Sequence, residues 1–237
     1  MNIEKVTEDF ILSLEARRGF LSEDNIRFYW FDSMKAQDSD LNHFSLEEPY
    51  ADKNDKITGR NKELDLLYEN ENEQWCIEIK FHRNPQKTQK SQTFAVTQSA
   101  GEIFDDICRL PLWESTSIKV KDKPTRYFFL YVTDDEMHRY LSNETGHYKN
   151  IEYRKELAKF YAIKENGEYQ CKFNDSAPKV FKEQATASLK KKMLDVPKLV
   201  IRTSRDIMCP STSLKIPQGK SIPNCHIRLY EILPTSK

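Results

Sequence analysis

Residues 64–81 read LDLLYENENEQWCIEIKF and carry the clearest structural signal in the chain. Two runs of β-forming apolar residues, 64–68 and 75–81, flank a short polar run, a pattern typical of a β-hairpin and its loop. Folding the hairpin symmetrically about the loop places Asp65 directly opposite Glu78. The sequence therefore predicts two carboxylates on one face of a strand pair.

Lys80 belongs to the same face, because it lies two residues beyond Glu78 and side chains alternate along a strand. The opposite face is apolar and is expected to be core; it consists of Leu64, Leu66, Tyr68, Trp75, Ile77, Ile79 and Phe81. The hairpin thus separates a charged face from a buried one.

The two carboxylates indicate a metal site. Held roughly 5 Å apart, they repel each other unless a cation lies between them or one takes up a proton. Mg2+ prefers such oxygen ligands and keeps waters for chemistry, and Mn2+ is a substitute of similar preference. An ammonium group beside the ion orients a water or stabilises phosphoryl charge. The pattern favours metal-assisted hydrolysis of a phosphodiester bond. The alternative is a strand edge with solvated charges, since Glu-x-Lys also occurs by chance.

Asp65 followed by Glu78-Ile79-Lys80 resembles the PD-(D/E)xK nuclease superfamily, the restriction-endonuclease-like proteins. The resemblance covers about residues 1–135, and Leu64 stands where the motif has proline, a tolerant position. It implies an α/β fold with a mixed central sheet flanked by helices. It also implies that Asp65, Glu78 and the backbone carbonyl of Ile79 bind the metal, and that Lys80 positions the attacking water.

The resemblance suggests further site residues on the flanking helices. Residues 3–18 have the spacing of an amphipathic helix, and Glu15 is the candidate for the acid that the superfamily's first helix often supplies. An ordinary exposed glutamate is the alternative. Apolar residues at helical spacing predict another helix over 96–110. Gln98, at its entry, is the candidate for the polar residue that this helix can lend to the site.

Other segments carry weaker signals. Residues 26–31 are aromatic and are predicted to form a strand, whereas 37–62 are polar and predict a long connection that contains Glu48, another candidate acid. Residues 127–132 form an apolar run typical of a strand buried on both faces.

The domain organisation is expected to be a nuclease-like core over 1–165 and a C-terminal α+β extension over 166–237, packed as one structural unit. At 237 residues the chain can bury a substantial core. No C-x-x-C pair is present, which argues against a zinc ribbon. No apolar run reaches the length of a membrane span, so a cytoplasmic protein without membrane contact is expected.

Charge composition bears on the partner. Lys and Arg total 37, as do Asp and Glu, so contact with DNA must come from local patches such as 83–90, which has no acidic residue. The expected function is a Mg2+-dependent DNA endonuclease of a restriction or other genome-defence system. A palindromic target would favour a homodimer, and a partner subunit of a restriction system is equally open. Two alternatives stand beside it: a non-catalytic DNA-binding or assembly subunit, and a structural protein in which Asp65 and Lys80 form an ion pair.

Overall fold

The computed structural model describes residues 1–16, 22–49, 63–82, 103, 106–107, 110–112, 123–134, 137–138, 141, 161, 168–172, 198–209 and 225–235. Its helices are α1 (Ile3–Ala16) and α2 (Glu23–Lys35), and its strands are β1 (Phe44–Pro49), β2 (Glu63–Glu69), β3 (Gln74–His82), β4 (Thr125–Asp134), β5 (Glu168–Lys172), β6 (Lys198–Cys209) and β7 (Cys225–Thr235). Over these residues the seven strands form one sheet in the order β1-β2-β3-β4-β7-β6-β5. The expectation of an α/β protein with a mixed central sheet is confirmed.

The predicted hairpin forms as β2 and β3 in the predicted register. Leu66 lies opposite Ile77, and Tyr68 lies opposite Trp75. The side-chain oxygen of Asn70 closes the loop, because it accepts hydrogen bonds from the backbone of two following residues, at 2.8 and 3.0 Å. The antiparallel pairing ends at Leu66 and Ile77, one row before Asp65 and Glu78.

The remaining strands continue the sheet on the other side of β3. β4 runs parallel to β3, with Glu78 beside Phe129 and Lys80 beside Tyr131. Most of β4 is buried, as its apolar sequence predicts. β7 pairs antiparallel with β4, and β6 and β5 follow. The strands of the C-terminal segment therefore belong to the same sheet as the hairpin.

The main core lies between the two helices and one face of the sheet. This face carries alternate residues of the central strands, among them Leu66, Ile77 and Ile79, as predicted. Phe10 of α1 meets Trp30 of α2 edge to face, with ring centroids 5.2 Å apart. Burying an aromatic or aliphatic side chain of this size contributes roughly 1.5–3 kcal/mol, so this face anchors both helices to the hairpin.

Residues 26–31 were expected to be a strand, and that expectation is wrong: they lie in α2. The helix begins with a capping box, in which Ser22 and Asn25 bond each other's backbone amides. Its buried residues Ile26, Trp30 and Met34 recur every four positions, which is a helical period. Aromatic composition suggested a strand, but the cap and the period dominate.

The connection expected over 37–62 is shorter than predicted, because residues 44–49 form the edge strand β1. The helix expected over 3–18 is present as Ile3–Ala16, and its last two positions lie outside the described residues. Among the helices described, none is long and apolar enough to cross a membrane.

Candidate active site

The candidate site is a gap where β2 and β3 separate after the pair Leu66 and Ile77. Two backbone amides of β3 face this gap and are bonded by carboxylates. Oδ2 of Asp65 accepts from Ile79 N at 2.7 Å, and Oε2 of Glu23 accepts from Phe81 N at 3.1 Å. Within a strand the N–H and C=O of one residue point to the same neighbour, so the carbonyl of Ile79 also faces the gap.

Arg27 of α2 binds the other oxygen of Asp65. Its Nη2 donates to Oδ1 of Asp65 at 2.6 Å, and its Nη1 donates to Oε1 of Glu47 at 3.3 Å. The side chains of Arg27 and Asp65 are 20% and 13% exposed. The guanidinium therefore bridges two carboxylates from neighbouring strands, and both oxygens of Asp65 have a donor.

Glu47 has an unusual backbone conformation at this point. It lies in β1 between two residues paired with β2, across from Asp65, and its φ is 56°. Non-glycine residues adopt this left-handed conformation at a cost of roughly 1–2 kcal/mol, and they persist in it where surrounding contacts impose it. Pairing of the residues on either side with β2 is such a contact.

The electrostatics of Asp65 reflect burial among charges. Burial raises the pKa of Asp65, while the amide of Ile79 and the charges of Arg27 and Lys80 lower it and Glu23 raises it. Glu23, which belongs to α2, lies near Asp65, because the two carboxylates bond amides two residues apart on β3.

Lys80 lies on the second face of the sheet, where its Nζ is 3.8 Å from Oδ2 of Asp106. Lys80 is 25% exposed at its side chain, whereas Asp106 is buried. Residues 103, 106 and 107 are helical, so the helical segment after β3 lends an acid to the lysine. The alternative of an ion pair between Asp65 and Lys80 therefore does not describe their nearest charged partners. Asp65 pairs with Arg27, and Lys80 lies beside Asp106.

Glu78 is buried, with 6% of its surface exposed. The hairpin register assigns it to the row of Asp65, the first row beyond the end of the pairing. Within the ranges that the structure describes, no three His, Cys, Asp or Glu side chains converge as a metal cage. The expected ligand set has only two such side chains, and its third ligand is the carbonyl of Ile79.

His82 extends the site along β3. Its Nδ1 lies 2.9 Å from the hydroxyl of Tyr131. Burial, with the charge of Lys80 adding to it and Asp106 partly opposing it, lowers the pKa of His82 to about 4. At neutral pH His82 is therefore an uncharged neighbour of Lys80.

The other predicted site residues are placed as follows. Glu15 is exposed in the last turn of α1, and within the described ranges no hydrogen bond or ion pair joins it to Asp65. Glu48 lies on β1 opposite Leu64. Gln98 and the basic segment 83–90 lie outside the described residues.

Sequence reasoning missed Arg27, Glu23 and Asp106. Arg27 was missed because residues 26–31 were predicted as a strand, and Glu23 because no helix was predicted to begin there. A signal did exist for Asp106, since it lies three residues after Ile103 and beside Ile107, on the apolar stripe of its helix. A carboxylate at a core position requires a partner, and here Lys80 lies beside it.

Comparison of the chain with known proteins finds no significant match among protein-family models, curated proteins or solved structures.

Proposed function

We propose that the protein is a Mg2+-dependent endodeoxyribonuclease of the restriction-endonuclease-like fold, which acts in the cytoplasm within a restriction or other genome-defence system. The observation that carries the proposal is the gap between β2 and β3. Asp65 and the backbone of Ile79 meet there at 2.7 Å, Glu78 lies in the same row as Asp65, and Lys80 follows two positions further along β3.

The donors at this gap suit a hard divalent cation. Asp65, Glu78 and the carbonyl of Ile79 would hold Mg2+, or Mn2+ in its place, because all three supply oxygen ligands. The bound ion supplies Lewis-acid activation of water and neutralises charge on the phosphate. The donor chemistry fits, although Oδ1 of Asp65 is paired with Arg27 in the metal-free protein.

Lys80 would orient the attacking water. Its partly exposed ammonium lies 3.8 Å from Oδ2 of Asp106. Hydrolysis adds water to phosphorus and breaks a P–O bond, so negative charge grows on the phosphoryl oxygens. A fixed ammonium stabilises that charge, and Asp106 restricts the orientations that Lys80 adopts.

The arrangement of the strands supports the proposal, because the resemblance implies a mixed sheet and the central strands pair in both directions. The Asp65 strand is antiparallel to the Glu-x-Lys strand, which has β4 as a parallel neighbour on its other side. The resemblance implies that the helix after the Glu-x-Lys strand lends a polar residue to the site. Asp106, on the helical segment after β3 and 3.8 Å from Lys80, supports that expectation.

The proposal is tested by incubating supercoiled plasmid and genomic DNA with the protein in Mg2+, in Mn2+ and in chelator. Wild type is expected to cut with either metal and not with chelator. Lys80→Ala, Asp65→Asn and Glu78→Gln are each expected to lose cutting. Lys5→Ala is the matched control, since Lys5 is a surface lysine of α1 paired with Asp9 at 2.8 Å.

Circular dichroism establishes that each variant is folded. Undiminished cutting by Lys80→Ala would refute the assigned mechanism. Parallel incubation with single-stranded and duplex RNA determines whether DNA is the preferred substrate.

One observation favours a second candidate, a non-catalytic DNA-binding or assembly subunit that has kept the fold. The carboxylate of Asp65 already bonds a guanidinium and a backbone amide, as it would in a silent site. Absence of cutting in every metal, with DNA retained in a gel-shift assay, would establish this candidate instead.

A further inference from the structure

The guanidinium of Arg27 lies beside Asp65, where a bound metal ion would lie. It contacts Oδ1 of Asp65 at 2.6 Å and Glu47 at 3.3 Å, while Oδ2 of Asp65 holds the amide of Ile79. Among the described residues, the donor to Oδ1 is thus a side chain, whereas the donor to Oδ2 is a backbone amide. A side chain can move away from its acceptor, whereas the amide of a strand cannot.

The guanidinium fits this place incompletely. Nε of Arg27 is buried and has no hydrogen-bond partner among the described residues. A buried N–H without a partner is destabilising, and this offsets part of the stabilisation that the ion pair with Asp65 provides. Glu47, the second carboxylate, is 63% exposed at its side chain and holds Arg27 weakly. Breaking the contact between Arg27 and Asp65 therefore costs less free energy than it would if every N–H of the arginine were bonded.

Simultaneous contact of Oδ1 with a divalent cation and with Arg27 is unfavourable, because the two positive charges repel each other. We propose that Arg27 is a positioning residue of the metal site: it holds Asp65 in the metal-free protein and gives up Oδ1 of Asp65 when a divalent cation binds. This inference rests on the proposed function, since it takes the gap between β2 and β3 as the metal site. Its consequence is that Arg27 lowers the affinity of the site for metal.

The experiment is a calorimetric titration of Mn2+ into the metal-free protein. Arg27→Met removes the competing charge and keeps the aliphatic stem, so Mn2+ is expected to bind at least about fivefold more tightly than to wild type. Arg27→Lys keeps the charge but loses the two-pronged contact, and an intermediate affinity is expected. Asp65→Asn in either background is expected to abolish binding.

Arg126→Met is the matched control. Arg126 also pairs with a carboxylate, Glu231 at 2.9 Å, and packs over the ring of Trp75 at the opposite end of β3. Its loss is expected to leave Mn2+ affinity unchanged. Should Arg27→Met fail to fold, Arg27→Lys alone tests the inference, because competition requires it to bind Mn2+ more tightly than wild type.

The outcomes separate the two proposals. Asp65-dependent binding of Mn2+ to wild type, with equal or weaker binding to Arg27→Met and Arg27→Lys, would overturn the role of Arg27 and leave the metal site standing. No binding of Mn2+ to wild type or to either Arg27 variant would refute the metal site and this inference together.

Discussion

Nδ1 of His82 lies 2.9 Å from the hydroxyl of Tyr131, inside the sheet face that carries Lys80. Burial raises the pKa of Tyr131 well above its ordinary value and lowers the pKa of His82 to about 4. Both partners are therefore uncharged at neutral pH. The neutral imidazole of His82 therefore does not repel the ammonium of Lys80, which lies beside the carboxylate of Asp106.

His82 is expected to make the protein less stable in mild acid. The unfolded chain takes up a proton near pH 6.5, whereas the folded protein does so only near pH 4. The stability contributed by neutral His82 is therefore present above pH 6.5 and is lost as the pH falls to about 4, by up to about 3 kcal/mol. Chemical denaturation of wild type and His82→Gln between pH 7 and pH 4 measures this effect.

His82→Gln has no imidazole to titrate, so its free energy of unfolding is expected to fall less over the same interval. Its absolute stability at pH 7 is expected to be lower, because the hydroxyl of Tyr131 is left with a poorer partner. Parallel pH profiles for the two proteins would contradict a depressed pKa of His82.

The charges around His82 make opposite predictions for two variants. Lys80 lowers the pKa of His82, so Lys80→Met is expected to raise it from about 4 toward 6.5. Asp106 raises the pKa of His82, so Asp106→Asn is expected to lower it. Proton NMR of the His82 ring across the pH range measures both. Shifts of the same sign would show that the ion pair of Lys80 and Asp106 is arranged differently in solution.

The hairpin was predictable because its signals are local. Alternation along 64–68 and 75–81 fixes the faces, and the polar loop between them fixes the register, so the row of Asp65 and Glu78 follows from the sequence alone. β4 was predictable for a similar reason, since a strand buried on both faces is a continuous apolar run.

The surroundings of Asp65 were not predictable in the same way. Arg27 is 38 positions away in the chain, and its contact with Asp65 depends on how α2 packs against the hairpin. β1 carries an exposed Leu46 and two glutamates, so its sequence lacks the alternation of a half-buried strand. Pairing with β2, a non-local interaction, determines its conformation.

The stability linked to Asp65 is expected to change with pH in the opposite direction to the stability linked to His82. Burial, as the largest influence, raises the pKa of Asp65 above its ordinary 3.8. The folded protein therefore keeps this proton to higher pH than the unfolded chain does. The stability linked to it is fully present below pH 3.8 and is lost as the pH rises through the folded pKa.

Asp65→Asn cannot titrate at this position, so in chelator its stability relative to wild type is expected to improve as the pH rises from about 3 to about 7. Urea denaturation at several pH values measures the difference. Asp9→Asn, which removes a surface carboxylate paired with Lys5, controls for general loss of charge. A relative stability that worsens with pH would mean that the pairing with Arg27 outweighs burial.

Helix α2 positions Arg27 and Glu23, and its first turn depends on Ser22. The Ser22 hydroxyl accepts from Asn25 N at 3.2 Å and completes the capping box. Ser22→Ala is expected to destabilise the protein by about 1 kcal/mol, because an amide of the first turn loses its partner. Ser13→Ala in α1 is the control, since the Ser13 hydroxyl only donates to the carbonyl one turn earlier and alanine is the better helix former.

Thermal or chemical denaturation measures both variants. Because the capped turn carries Glu23, whose carboxylate holds the amide of Phe81, Ser22→Ala is also expected to speed hydrogen exchange at that amide. Ser13→Ala is expected to leave that exchange unchanged. Equal effects of the two substitutions on the Phe81 amide would mean that the start of α2 does not fix the edge of β3, and that the gap beside Asp65 is held by the core contacts of Ile26 and Trp30 alone.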